Sequence, residues 1–167
     1  MVIELAEHGD LMRQLQLRKG RPFKENWLWR ILIGLLRALD HTHRFRLIIH
    51  NDIKPANVLI GKGCVPKLAD FGCAQQFVEG ATVIGGSRLF MSPEALREEP
   101  ITPASDIFAT GTTMYLFMTG YFPFQNTNEI MDPDFHPAAL PARYSFLLRE
   151  VVVASMLNKD AKLRPSA

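Results

Sequence analysis

Cysteine occurs only twice in 167 residues, at Cys64 and Cys73. That is too few for a disulfide framework and reads as two free thiols in a reducing, intracellular (cytoplasmic) compartment. Charge of one sign is lacking too: 19 Lys and Arg face 17 Asp and Glu, a net charge of +2, which leaves no electrostatic footprint for nucleic acid or a membrane surface. Nor does a basic cluster open the chain, where Glu4 and Glu7 fall within Met1 to Asp10 and give the wrong chemistry for a secretory or transit signal. The one stretch that invites a membrane reading, 107–128, has no charge but is interrupted by Thr110, Thr112, Thr113, Thr119, Gly111, Gly120 and Pro123. A span needs about 20 predominantly apolar residues, so a helix buried on every side of a protein core is expected here instead. What remains is the composition of one globular domain, 47% apolar and 22% charged with a mean hydropathy of +0.01. A chain of this size buries roughly 68–70% of its unfolded surface and needs no metal or disulfide to complete a core.

Glycine and proline are scattered rather than gathered into a linker, and no repeat is visible, so a single domain over residues 1–167 is the economical reading. From Glu25 to Phe45 the residues Leu28, Ile31, Leu32, Leu35, Leu36 and Leu39 recur at spacings of three and four and predict a long amphipathic helix. Val58 to Ile60 and Val65 to Leu68 flank Gly61-Lys62-Gly63 and predict a small hairpin between Asn57 and Ala69. Thr102 before Pro103 supplies a capping hydroxyl and a first-turn proline for a helix running to about Gly120. Residues 126–141 hold little periodicity and read as loop or short turns, and Arg143 to Leu157 returns to helix. The expected class is mostly α (α+β): long helices around one short β-hairpin.

The polar chemistry clusters at that hairpin. His50-Asn51-Asp52-Ile53-Lys54-Pro55-Ala56-Asn57 enters it, Asp70-Phe71-Gly72 leaves it, and Met91-Ser92-Pro93-Glu94 follows. In this order and spacing the three motifs resemble the large lobe of a eukaryotic-type Ser/Thr protein kinase, from the hinge to the start of its last helix. The resemblance covers nearly the whole chain, with residues 1–10 as hinge, 11–167 as the large lobe and 70–94 as the activation segment. A fainter likeness to calcium/calmodulin-dependent kinase kinases rests on Asp106 to Gly111 with Tyr115.

The resemblance implies ATP and Mg²⁺ as cofactors and a protein bearing a Ser or Thr acceptor as substrate partner. Phosphoryl transfer asks for positioning and charge neutralisation rather than covalent work. Asp52 falls at the carboxylate that orients the acceptor hydroxyl, and Lys54 at the cation for the γ-phosphate. Ser87 stands where a hydroxyl bridges the two. Asn57 and Asp70 match the oxygen ligands of Mg²⁺, a hard cation. Ile3 takes the gatekeeper position, Glu4 and Ala6 the hinge groups that meet adenine, Asp10 the ribose acceptor and Leu59 the apolar floor. His50, Phe71, Asp106 and the pair Glu94 and Arg164 match structural supports. Plain structural alternatives exist: Asp52 and Asn57 as turn formers, Asp70 as a cap, Asp10 as the cap of a helix from Leu11. Metal alternatives fail on spacing, since His41 and His43 are two apart and cannot share a helix face, and Cys64 and Cys73 have no nearby ligand pair for zinc.

The chain also departs from the family. Before the hinge there is no Gly-rich loop, strand lysine or helix glutamate. Each lost charge-stabilising donor typically costs about 10²–10³ in rate. The expectation is therefore that Met1 is an internal residue or internal start, that a small lobe in cis or a covering partner completes the protein, and that this polypeptide alone turns over very slowly. A mass near 18.9 kDa for the endogenous protein would refute it. Asn51 replaces the arginine that usually precedes the catalytic Asp, and a neutral amide cannot clamp a phosphate dianion. Phosphorylation at a residue such as Thr82 is thus not expected to be the main on-switch. Ala56 and Leu116 replace acids that read upstream arginine in basophilic relatives, so no strong demand for arginine is expected. Two functions stay open: an active Ser/Thr kinase, and a pseudokinase or truncated lobe acting as a protein-interaction module.

Overall fold

The computed structural model describes residues 4–19, 21–83 and 85–167. Two helices of 16 residues form its framework. Helix α2 (Glu25–Asp40) turns Leu28, Ile31, Leu32, Leu35 and Leu39 inward as one buried stripe. It packs on α4 (Ala104–Thr119), in which every residue from Ser105 to Met118 is buried. An all-round buried helix is what a charge-free run of this length requires in a core. It ends on Gly120, whose φ of 84° places it in the left-handed region that favours glycine as a helix stop. Among the described residues no helix is long and apolar enough to cross a membrane.

The hairpin forms at the expected place, with β2 (Val58–Ile60) and β3 (Pro66–Leu68) antiparallel in the register Val58↔Leu68, Leu59↔Lys67 and Ile60↔Pro66. Its turn is tight because Gly63 has a φ of 69° and Gly61 N–H donates to Val65 O at 2.9 Å. The segment before α1 (Leu11–Arg18) adds a rung on its outer edge: His8 N–H donates to Ile60 O at 3.1 Å and Ile60 N–H to Gly9 O at 2.7 Å. A second sheet joins β1 (Ile48–Ile49) to β4 (Gln75–Gln76), antiparallel and two residues long. The hairpin lies across α2 because Gly34 has no side chain; a Cβ there would come within 2.3 Å of Pro66 Cγ.

Three expectations need adjustment. The long helix reaches Phe45, but residues His41–Phe45 widen into a π-type turn. The tail is α6 (Phe146–Glu150) followed by a second π-type stretch, Val151–Met156, rather than one regular helix. Within 126–141 lies a short helix, α5 (Thr127–Met131), started by a reciprocal cap: Glu129 N–H donates to Asn126 Oδ1 at 3.1 Å and Asn126 Nδ2 to Glu129 Oε1 at 3.0 Å. Finally α3 (Pro93–Leu96) opens with proline in its first turn.

Candidate active site

The residues between β1 and β2 have no regular pairing of their own, so their shape is imposed by side chains beneath them. Asp106, 1% exposed at the start of α4, accepts the backbone N–H of His50 at 2.8 Å and of Asn51 at 2.9 Å, and His43 Nε2 lies 2.8 Å from its Oδ2. His50, fully buried, sets its own Nε2 3.0 Å from Ala69 O and its ring 4.7 Å from that of Phe71. The loop carrying Asp52 is thus fixed from below by Asp106 and sideways by His50.

On that base four side chains meet. Lys54 Nζ donates to Asp52 Oδ2 at 2.6 Å and to Ser87 Oγ at 3.0 Å. Asn57 Nδ2 donates to Asp52 O and to Asp52 Oδ2, both at 2.9 Å. Ser87 N–H donates to Asp52 Oδ1 at 3.1 Å. Burial of Asp52 by itself raises its pKa, but Lys54, Ser87 and Asn57 outweigh it and hold the carboxyl below its ordinary range. Asp52 is therefore anionic at neutral pH, with both oxygens engaged.

Asp70 stands beside this group through the backbone, because Ala69 N–H donates to Asn57 O at 2.9 Å and closes the hairpin base. Its own carboxylate turns to its own loop: Asp70 has a φ of 59° and accepts Gly72 N–H at 3.2 Å. The structure thus gathers Asp52, Lys54, Asn57 and Ser87 into one network and leaves Asp70 exposed at its edge.

The nucleotide-facing candidates lie on the hairpin's outer rung. Asp10 pairs with Leu59 across the backbone and caps α1, accepting Arg13 N–H at 2.7 Å, so the capping role is real. Ala6 O accepts Gly9 N–H in a turn, Glu4 makes an exposed ion pair with Lys67, and Leu59 is half-buried. Ile3 lies outside the described residues.

Glu94 and Arg164 form a bidentate pair at 2.6 and 2.8 Å. Arg164 spends its remaining donors on the carbonyls of Asn158, Ala104 and Lys159. Burial opposes ionisation of Glu94, yet the guanidinium holds its pKa below the ordinary value. This pair anchors the end of the segment 70–94 and touches nothing of the Asp52 network.

Sequence reasoning missed two contributors. His43 was weighed only as a metal ligand, yet its i+4 spacing from Leu39, the last residue of the buried α2 stripe, could have pointed it inward. The side chain of Asn51 donates to Cys73 O at 3.1 Å, a contact no motif announces. Cys64 and Cys73 are free.

The Protein kinase domain model matches residues 1–167. The chain is 35% identical to the serine/threonine-protein kinase TIO of Arabidopsis thaliana over 98% of its length, but spans only 12% of that protein. It is 31% identical to the serine/threonine-protein kinase Nek10 of Homo sapiens over 96% of its length and 14% of that protein's, and 31% identical to Nek3 of Mus musculus over 100% and 34%.

Proposed function

This chain belongs to the protein kinase domain family, and from that premise we propose that it supplies the catalytic face of a Ser/Thr protein kinase transferring the γ-phosphoryl group of Mg·ATP to a protein hydroxyl. The observation that carries the reading is the Asp52–Lys54–Asn57–Ser87 network. Desolvating four polar groups in one place is costly unless they are mutually satisfied, and here each also has a task in the chemistry.

Asp52 is held anionic and immobile by three donors. A hydroxyl approaching its Oδ atoms would donate to them, which orients the attacking oxygen and gives its proton a place to go. Lys54 joins the carboxylate to Ser87 and adds one positive charge where the transferred group carries negative charge. Asn57 and Asp70 would hold Mg²⁺, which when bound neutralises phosphate charge. Their donor set fits that ion: one amide and one carboxylate oxygen are what Mg²⁺ takes when phosphates and water complete its shell, and among the described residues no cluster of three or more His, Cys, Asp or Glu forms a protein-only cage. Asp10 and Leu59 then serve ribose and adenine, and Glu4 and Ala6 offer backbone groups to the base.

One observation favours the second reading, an interaction module without turnover: Asp70 Oδ1 accepts Gly72 N–H, and its carboxylate makes no hydrogen bond to the Asp52 network. The same experiment separates the two. Full-length protein is incubated with γ-labelled ATP and a Ser/Thr peptide mixture, alongside Asp52→Asn and Asp70→Asn. Incorporation that both substitutions reduce by about 10²-fold or more supports the kinase reading. No incorporation by the unsubstituted protein selects the module.

A further inference from the structure

We propose that Asn51 is a positioning residue which, with one bound water molecule, ties the loop carrying Asp52 to both ends of the segment 70–94. Its bearing on turnover rests on the kinase reading; the water site and the tie do not.

Asn51 sits in the left-handed region, with a φ of 64°, where asparagine is among the few residues other than glycine to settle readily. That conformation sends its groups in four directions. Its N–H donates to Asp106 Oδ1 at 2.9 Å, below the loop. Its Nδ2 donates to Cys73 O at 3.1 Å, the start of the segment. Its carbonyl lies under Gly86 near the segment's end, so close that a Cβ on Gly86 would come within 2.7 Å of Asn51 O. The φ of +103° at Gly86 excludes other residues independently.

The fourth group is Asn51 Oδ1, which is buried and has no hydrogen-bond partner among the described residues. Asn51 also lines a small recess of about 20 Å³ whose walls include Val83, Met91, Ser92, Ala95 and Asp106. Ser92 Oγ is also buried, lies beside Glu94 and helps to lower its pKa, and has no hydrogen-bond partner among the described residues that meets distance and angle. Asp106 has already committed both oxygens, to His43, His50 and Asn51. The recess therefore offers two acceptor oxygens and room for one small molecule. A water needs roughly 10–15 Å³ and two or more polar partners, and its two O–H groups match the two oxygens. An organic ligand does not fit, and a cation has no free carboxylate to meet.

With that water in place, Asn51 connects three pieces of chain. Its amide nitrogen holds residue 73, its amide oxygen reaches through water to residue 92 at the start of α3, and its backbone rests on Asp106. The ties that Asn51 itself makes to the segment, to Cys73 O and through the water to Ser92, are neutral hydrogen bonds and need no charged modification.

The test uses the full-length protein and Asn51→Gly, which keeps the left-handed backbone while removing the amide, with Ser92→Ala as the second variant. A high-resolution crystal structure of the unsubstituted protein is expected to show one water within about 3.2 Å of both Asn51 Oδ1 and Ser92 Oγ; a dry recess overturns the water. In Asn51→Gly, amide hydrogen exchange over residues 72–76 is expected to accelerate roughly fivefold to tenfold, the loss of one hydrogen bond, and to stay unchanged in Ser92→Ala, which keeps the Cys73 tie. Unchanged exchange in Asn51→Gly overturns the tie. Where phosphoryl transfer is measurable, Asn51→Gly lowers kcat by a similar factor with KM for the acceptor peptide unaltered; a change confined to KM overturns the positioning role. A protein that incorporates no phosphate leaves the density and exchange arms to decide alone.

Discussion

Arg164 lays both terminal nitrogens on the carboxylate of Glu94, 70 positions away, at 2.6 and 2.8 Å. Neither residue is more than 7% exposed. The guanidinium also meets three carbonyls, and its plane rests 5.0 Å from the Phe108 ring centre, so each partner depends on the other for its charge.

Removing one partner strands a buried charge. Arg164→Ala or Glu94→Ala is expected to cost about 3–5 kcal/mol, whereas the apolar pair Glu94→Leu with Arg164→Met costs much less. Chemical denaturation of the four proteins checks this. Acid gives an independent signature: the folded pKa of Glu94 is depressed below 4.5, so its stabilisation is complete above about 4.5 and disappears as pH falls through the lower folded value. The melting temperature of Glu94→Gln should then fall less than that of the unsubstituted protein as pH drops below about 4.5.

Lys159 titrates in the opposite range. Burial brings its pKa down to about 8, with Arg97 adding to the effect and Asp132 and Glu129 opposing it. Its ammonium donates to Glu129 O and Ile130 O at 2.6 and 2.7 Å and lies 4.0 Å from the Phe124 ring centre. The unfolded chain binds the proton more tightly than the folded one, so this residue adds stability as pH rises from about 8 toward 10.5. Subtracting the profile of Lys159→Met from that of the unsubstituted protein should leave a rise over that interval; a flat difference refutes it.

Gly34→Ala is expected to destabilise by about 1–3 kcal/mol through overpacking. The new methyl would stand 2.3 Å from Pro66 Cγ, and α2 and the hairpin must separate to admit it. Thermal unfolding measures the cost, and Pro66→Ala in the same chain should recover part of it.

Thr82→Glu should raise phosphate incorporation by the full-length protein less than tenfold. The segment is already tied at Cys73 by Asn51, at Thr82 by the 3.1 Å bond from Gln75 Nε2 to its carbonyl, and at Ala81 by Ile101 N–H. An increase of tenfold or more would show that a negative charge does what these bonds do not.

The elements that came straight from the residues are those whose cause is local. The α2 stripe, the Gly-bearing hairpin turn and α4, uncharged after Asp106, each follow from periodicity, a turn residue or an apolar run, and the order of the three motifs carried the family. What stayed hidden depends on distant contacts. β1 and β4 are two residues each and have no periodicity to read. The helix α5 did carry a signal, Asn126 with Glu129 three residues on, that a proline-rich context obscured. The direction of the Asp70 carboxylate follows from a backbone φ of 59°, and the partner of His43 lies 63 positions away. Neither is written in a spacing.

The widened turn at His41–Phe45 makes the length of that stretch matter. A π-type turn holds one residue more than an α-helical turn, and a step along an α-helix rotates a side chain by about 100°. Deleting residue 41 or 42 would swing the imidazole away from Asp106 while leaving every motif intact, so an allele of that kind would damage the loop at Asp52 without altering any residue of it.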